Sequence, residues 1–180
     1  MIHASPRNPA AASTAAATMP PKPDLRHAFG RFPTGIAVVT MLDGEGMPYG
    51  ATINSFVSVS MAPPMISWNV VRGSLAHSTV SQARRFVINV LAKDQRSLAQ
   101  KMTGPVAERF TDVQYRPSEW GLPVIDGTLA AFECNVHSMV TAGDHDIVLG
   151  IIDNFEHREG RPLVYWQGAY ATAAQYDTQG

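Results

Sequence analysis

The chain has 180 residues and a mass of 19.5 kDa, with 14 Lys and Arg against 15 Asp and Glu. That length suits one domain with a tail, and near-neutrality argues against a nucleic-acid or anionic-membrane binder, which carries a basic excess. The single cysteine, Cys134, excludes an internal disulfide framework and a cysteine-rich zinc site.

In chain order, residues 1–23 hold seven Ala, five Pro and four Ser or Thr. So little apolar surface cannot offset the entropy of ordering, which predicts a disordered tail. The Ala run lacks the Leu, Ile, Val and Phe of a signal peptide, so a cytoplasmic location is the expectation. Asp24 is read as the cap of a short helix carrying Leu25, Ala28 and Phe29. Phe32-Pro33-Thr34-Gly35 then forms a turn, with Pro33 fixing φ and Gly35 free to turn left-handed. The same turn could instead bring its backbone against a ligand. A strand follows over 36–42.

Between Glu45 and Arg72 lies a charge-free run of 26 residues, Gly46 to Val71. Its prolines, asparagines and serines exclude a membrane span. Two strands, 50–60 and 65–71, with Pro63-Pro64 between them fit it better. Period-two alternation puts Ile53, Val57 and Val59 on one face and Thr52, Asn54 and Ser58 on the other. That polar face is either a solvated sheet edge or a wall of neutral donors and acceptors for a ligand. Charged residues are only 16% of the whole chain, against about 25% in ordinary soluble domains. Part of this surface is therefore expected to be covered.

Helices are predicted over 74–83 and 94–103, the second with Leu98 and Met102 at i,i+4 spacing. Strands are predicted over 86–92, 127–140, 146–156 and 163–173, and the residues from 174 on form a short tail. Cys134 alternates with Phe132 and Val136 on an apolar face, which reads as an inert buried thiol. His145, flanked by Gly143, Asp144 and Asp146, is either a structural hydrogen-bonding residue or a functional one made more basic by its carboxylates. Neighbours on a strand face opposite ways, so that trio does not read as a metal site. The chain is therefore expected to be mostly β with a few helices, an antiparallel barrel rather than a parallel α/β sheet. It lacks G-x-G-x-x-G, the P-loop motif, G-x-S-x-G and H-E-x-x-H, so Rossmann, P-loop, α/β-hydrolase and zincin sites are not supported.

Five motifs in order resemble the flavin reductase-like family, the small reductase components of two-component flavin-dependent monooxygenases. They are Phe32–Thr40, Gly50–Ser60 with Pro63-Pro64, Phe86–Leu91, Gly143–Asp146, and Leu163–Trp166 with Gly168–Tyr170. The resemblance covers residues 24–173. It implies an FMN-binding, Greek-key split β-barrel that forms a homodimer with the flavin near the subunit boundary. It implies reduction of FMN or FAD by NADH or NADPH, hydride passing from nicotinamide C4 to flavin N5, and a partner monooxygenase that receives the product.

Carried over by position, Pro33, Thr34, Gly35, Ala37, Ala51, Thr52, Ile53, Asn54 and Ser55 would lie along the flavin, with Ser58 close by. Asn69 and Ser74 would be nearer its ribityl-phosphate side, and Asn89 would support the site. His145 and Tyr170 would meet the nicotinamide nucleotide, and no acid, base or metal is required. Ala62 departs from the acidic residue common before the Pro-Pro pair. Two alternatives on the same barrel are a tightly bound FMN serving as oxidase or electron-transfer centre, and a non-catalytic flavin-binding module.

Overall fold

The structure, a computed structural model, describes residues 22–174. The predicted tails at 1–23 and 174–180 lie almost wholly outside those residues. The first helix, α1 (Lys22–Phe29), starts before the expected cap and holds Asp24 in its first turn. Nor does it bury the expected apolar face: Leu25 and Phe29 are both exposed.

After α1 the order is β1 (Thr34–Gly35), β2 (Ala37–Leu42), β3 (Pro48–Ile53), β4 (Val57–Met61), β5 (Pro64–Val71), α2 (Leu75–Ala83) and β6 (Arg85–Val90). Then come α3 (Arg96–Lys101), a single 3-10 turn at Val106–Glu108, β7 (Tyr115–Pro117), β8 (Pro123–Ile125), β9 (Ala130–Ala142) and β10 (His145–His157). The chain closes on β11 (Leu163–Trp166) and β12 (Ala169–Thr172).

Seven strands form one antiparallel sheet in the order β3-β2-β6-β9-β10-β5-β4. Its two edges, β3 and β4, are consecutive in the chain and joined only by Asn54–Phe56. Ile53 and Val57 can therefore be no more than about 15 Å apart, whereas the edges of a flat seven-stranded sheet would lie about 29 Å apart. The sheet has to roll up, and beside the link the Ser55 Oγ accepts the Asn69 N–H of β5 at 3.0 Å, continuing the β4–β5 pairing. This is the split barrel expected from the sequence. Two smaller sheets, β1-β11-β12 and β7-β8, cap it.

The expected strand over 50–60 is thus two strands pairing with different neighbours. Its alternation also fails across the break. Ile53 and Phe56 pack on the core, while Val57 and Val59, predicted to share the face of Ile53, are exposed on the edge. The expected strand over 163–173 likewise divides at Gln167-Gly168. Both residues have left-handed backbones (φ 51° and 80°), the conformation a two-residue hairpin needs.

Inside the barrel Val39, Met41, Ile66, Trp68, Phe86, Ile88, Cys134 and Val148 form the core. The Trp68 and Phe86 rings meet edge to face, 5.7 Å between centroids. Each such side chain contributes about 1.5–3 kcal/mol by leaving water. Outside β2 a second cluster packs Val38 and Leu91 against Ala99 and Met102 of the α3 segment. Strand β2 is therefore buried on both faces over Ala37–Met41, where Thr40 is the one polar side chain and is hydrogen-bonded to Pro123 O and Asn89.

Candidate functional site

A groove of about 1070 Å³ opens between the end of α1, the turn that follows it, β1 and the β11–β12 hairpin. Typical small-molecule pockets run to about 300–1,000 Å³, so this one has nucleotide dimensions. Its frame is pinned by backbone: the Gly30 N–H donates to Arg26 O at 2.9 Å, and the Gln167 N–H at the hairpin tip donates to Gly30 O at 3.0 Å. Thr34 lies opposite Tyr165 in the β1–β11 ladder. Both line the groove, with Asn54 from the barrel seam.

Among the described residues neither the buried Thr34 Oγ1 nor the Trp68 Nε1 in the core has a hydrogen-bond partner. A buried hydroxyl without a partner costs about 1–3 kcal/mol. At a groove wall that cost falls away when a ligand atom takes up the bond. A flavin ring edge, rich in carbonyl and nitrogen groups, fits a wall of neutral Thr34 and Asn54 groups beside the Tyr165 ring. No acidic side chain among the described residues lines the groove, whereas Arg26, His27 and Arg31 do.

Of the residues assigned by resemblance, only Thr34 and Asn54 line this groove, and Pro33 and Gly35 flank Thr34. Ser55 is one residue further along the seam, bonded to Asn69 as described. Along β5, Val71 lies about 7 Å beyond Asn69, and His145 stands directly opposite Val71 on β10. The seam thus leads from groove through Ser55 and Asn69 toward His145, whose Nδ1 is 2.7 Å from the Asp144 carboxylate. Ser58 is exposed on the edge strand β4.

Other assigned residues are committed elsewhere. Ala37 is buried, and Ala51 and Ile53 pack on the barrel core. Thr52 Oγ1 donates to Ala99 O at 2.7 Å, tying β3 to α3. Ser74 caps α2: its Oγ accepts the His77 N–H and donates to Val71 O. Asn89 is fully buried. Its Nδ2 donates to Val38 O and Thr40 Oγ1, and its Oδ1 accepts the Ile125 N–H at 2.9 Å. With no exposed atom it can only support the site from behind, by fixing β2 against β8. Tyr170 stacks edge-on against Tyr165 at 5.7 Å, under the Arg96 guanidinium.

Asp146 faces away from His145. Its carboxylate accepts from the His77 ring at 2.8 Å and from the Thr141 hydroxyl at 3.0 Å, with Arg72 at 3.5 Å. The His77 hydrogen bond, helped by Thr141 and Arg72, holds this carboxyl below the usual carboxylate range. The two aspartates therefore serve different sides of the strand. Among the described residues no cluster of His, Cys, Asp or Glu could hold a metal ion.

Sequence reasoning passed over Arg26, Phe29, Arg31 and Tyr165 as groove residues, and read Phe32 only as the start of a turn whose backbone could meet a ligand. The available signal was Phe29-Gly30-Arg31-Phe32 itself: two large rings either side of a glycine and an arginine, where helix gives way to turn. Phe29 and Phe32 are indeed 69% and 76% exposed.

Fold and groove together define a split-barrel protein with a nucleotide-sized, neutral-to-basic cleft beside its seam. The flavin reductase-like domain model matches residues 29–174, and the chain belongs to that family. It is 42% identical over 146 residues to an FMN reductase (NADH), SmoA, of Agrobacterium fabrum, covering 81% of this chain and 83% of that one. It is 38% identical over 155 residues to the reductase component of a flavin-dependent trigonelline monooxygenase of Acinetobacter baylyi, covering 86% of this chain but only 50% of that protein. Among solved structures it resembles an NADH:FAD oxidoreductase of Streptomyces globisporus in complex with NAD and FAD fragments. There the TM-score is 0.81 at 30% identity, over 88% of this chain and 95% of that one.

Proposed function

We propose that this chain is an NAD(P)H-dependent flavin reductase that supplies reduced flavin to a partner monooxygenase. The partnerless Thr34 hydroxyl on the wall of a nucleotide-sized groove, in a chain of this family, carries the reading. The relatives support it through their named activities: one is an FMN reductase using NADH, and another is the reductase component of a monooxygenase.

When bound, flavin would accept hydride from a reduced nicotinamide; the protein supplies position and electrostatics. Thr34, Asn54 and Ser55 would hold the polar edge of the ring, backed by Pro33, Gly35, Ala37 on β2 and Ala51, Thr52 and Ile53 on β3. Asn69 and Ser74 lie further along, toward α2, while Ser58 lies opposite Ile66 on β5, back toward the β4–β5 turn. His145 would orient the nicotinamide carboxamide, with Asp144 fixing its ring. Holding two flat rings face to face makes hydride transfer effectively unimolecular. No general base is called for.

A second copy of the chain is the proposed cover for the outer face of β4, β5 and β10. There Val57, Met65, Ile147, Leu149 and Ile151 point away from the core and stay half-buried or exposed. Val57 and Met65 come from the charge-free run of the sequence and β10 adds Ile147, Leu149 and Ile151, giving the uncharged centre an interface core requires. Among the described residues no helix is long and apolar enough to cross a membrane. The proposed location is the cytoplasm, where reduced pyridine nucleotides are available.

The test crosses FMN and FAD with NADH and NADPH in steady state, following loss of the reduced-nicotinamide absorbance. Flavin-dependent turnover is expected, and its absence in all four pairings overturns the reading. His145→Ala should raise KM for the nicotinamide nucleotide with little change in flavin affinity. The reverse pattern removes the role assigned to His145.

A further inference from the structure

The groove is larger and more basic than a flavin ring requires. Arg26 lies in the last turn of α1 and Arg31 in the turn that follows, yet both line one cleft. Neither makes an ion pair or a side-chain hydrogen bond among the described residues. No described acidic side chain lines the cleft to balance them, although the whole chain carries 15 acidic against 14 basic residues. Such local imbalance in a neutral chain favours an anionic ligand. Beside the two guanidinium groups stand Phe29 and Phe32, rings that the core leaves exposed and that offer flat faces to a base. The Gln167 N–H bond to Gly30 O fixes this rim against the hairpin, so the cations are carried on an ordered frame.

We infer that Arg26 and Arg31, with Phe29 and Phe32, form a subsite for the adenosine diphosphate end of a dinucleotide, adjoining the Thr34–Asn54 wall. The chemistry is a diphosphate held by guanidinium donors and a purine stacked on an aromatic face. Two dinucleotides share that end, FAD and the nicotinamide nucleotide. The inference rests on the reductase reading for the identity of its ligands, though not for the subsite itself.

Binding of ADP to the full chain, measured by calorimetry at low and high salt, reads the subsite without turnover. ADP should bind the wild type, weaken as salt rises, and lose at least about tenfold in affinity in Arg26→Ala/Arg31→Ala, as loss of charge-assisted bonds predicts. Arg31→Ala alone, outside the helix, guards against a disturbed α1 and should show part of the loss; Arg31→Lys should restore some of it. Steady-state arms separate the sources. A rise of about tenfold in KM for FAD, with that for riboflavin steady, assigns the flavin dinucleotide. A rise in KM for NADH or NADPH alone assigns the nicotinamide one. If ADP does not bind, or binds wild type and variants alike, the subsite is refuted even where flavin-dependent turnover is robust. Absent turnover with ADP binding intact instead overturns the reductase reading and leaves the subsite standing.

Discussion

Gly150, in the middle of β10, is the sharpest place to test the packing of the barrel. A Cβ built there would lie 2.6 Å from the Phe86 Cζ and 3.2 Å from both the Phe86 Cε1 and the Cys134 Cβ. Its backbone is not left-handed, so the demand for glycine is purely steric. Phe86 cannot retreat, because it is fully buried and its ring meets Trp68 edge-on. Forcing one extra methyl into such a core costs about 1–3 kcal/mol. At about 2–4 °C per kcal/mol for a chain of this size, Gly150→Ala should lower Tm by about 2–12 °C.

Thermal unfolding followed by circular dichroism reads this directly. A double-mutant cycle with Phe86→Leu locates the clash: the double variant should be more stable than the two single effects summed, by a coupling of about 0.5–3 kcal/mol. Gly50→Ala is the contrast. There the nearest atom is the Met102 Sδ at 2.9 Å, the movable end of a flexible side chain, and the loss should be smaller. An unchanged Tm for Gly150→Ala, or strictly additive effects with Phe86→Leu, would refute the reasoning.

Two further outcomes follow from titratable groups. Because Asp146 is held below the usual carboxylate range by His77, its stabilising contribution is complete above the unfolded value of about 3.9. It is lost as pH falls through the folded value, so Asp146→Asn should flatten the stability curve below about pH 4; parallel acid-unfolding curves would contradict this. Burial, then the Asp153 and Glu133 charges, push the Cys134 thiol above its ordinary range. It should resist thiol reagents in the folded protein and react on denaturation, and rapid stoichiometric labelling of native protein would count against a closed barrel.

The strands with one strong signal were legible in the sequence. The runs that became β5, β6, β9 and β10 carry apolar residues at regular intervals, and α2 falls within the helix predicted over 74–83. What alternation could not show was where one strand hands over to another. Thr52 to Ser60 alternates as if continuous, yet Asn54–Phe56 turns the chain from one sheet edge to the other, because sheet closure outweighs local pattern. The same holds for Tyr165 to Tyr170, where the turn rests on Gln167 adopting a left-handed backbone.

The site divided along similar lines. Thr34, Asn54 and Ser55 were marked by motif and stand at the groove or its seam. Asn89 was marked too, but its three internal bonds make it a tie within the scaffold. The His77–Asp146 contact joins residues 69 apart, beyond the reach of local spacing. The basic rim was invisible for another reason: Arg26 and Arg31 fall on different elements, and only the fold of the turn brings them to one cleft.

The route by which the barrel closes has a consequence for synthesis. Strands β2, β3 and β6 pair among themselves, and so do β4 and β5, but nothing in the order β3-β2-β6-β9-β10-β5-β4 joins the two groups except the long β9–β10 hairpin. Each of its arms is 13 residues long. A ribosome therefore delivers Thr34, Asn54, Ser55 and Asn69 early, as parts of two unlinked half-sheets. Ser55 and Asn69 can meet at once within the β4–β5 pair, whereas Asn54 and Thr34 wait for the hairpin at 130–157, and for Tyr165 on β11 after it, before they share one groove. The nascent chain carries most of its pocket long before it has one, and the late hairpin decides when ligand can first be held.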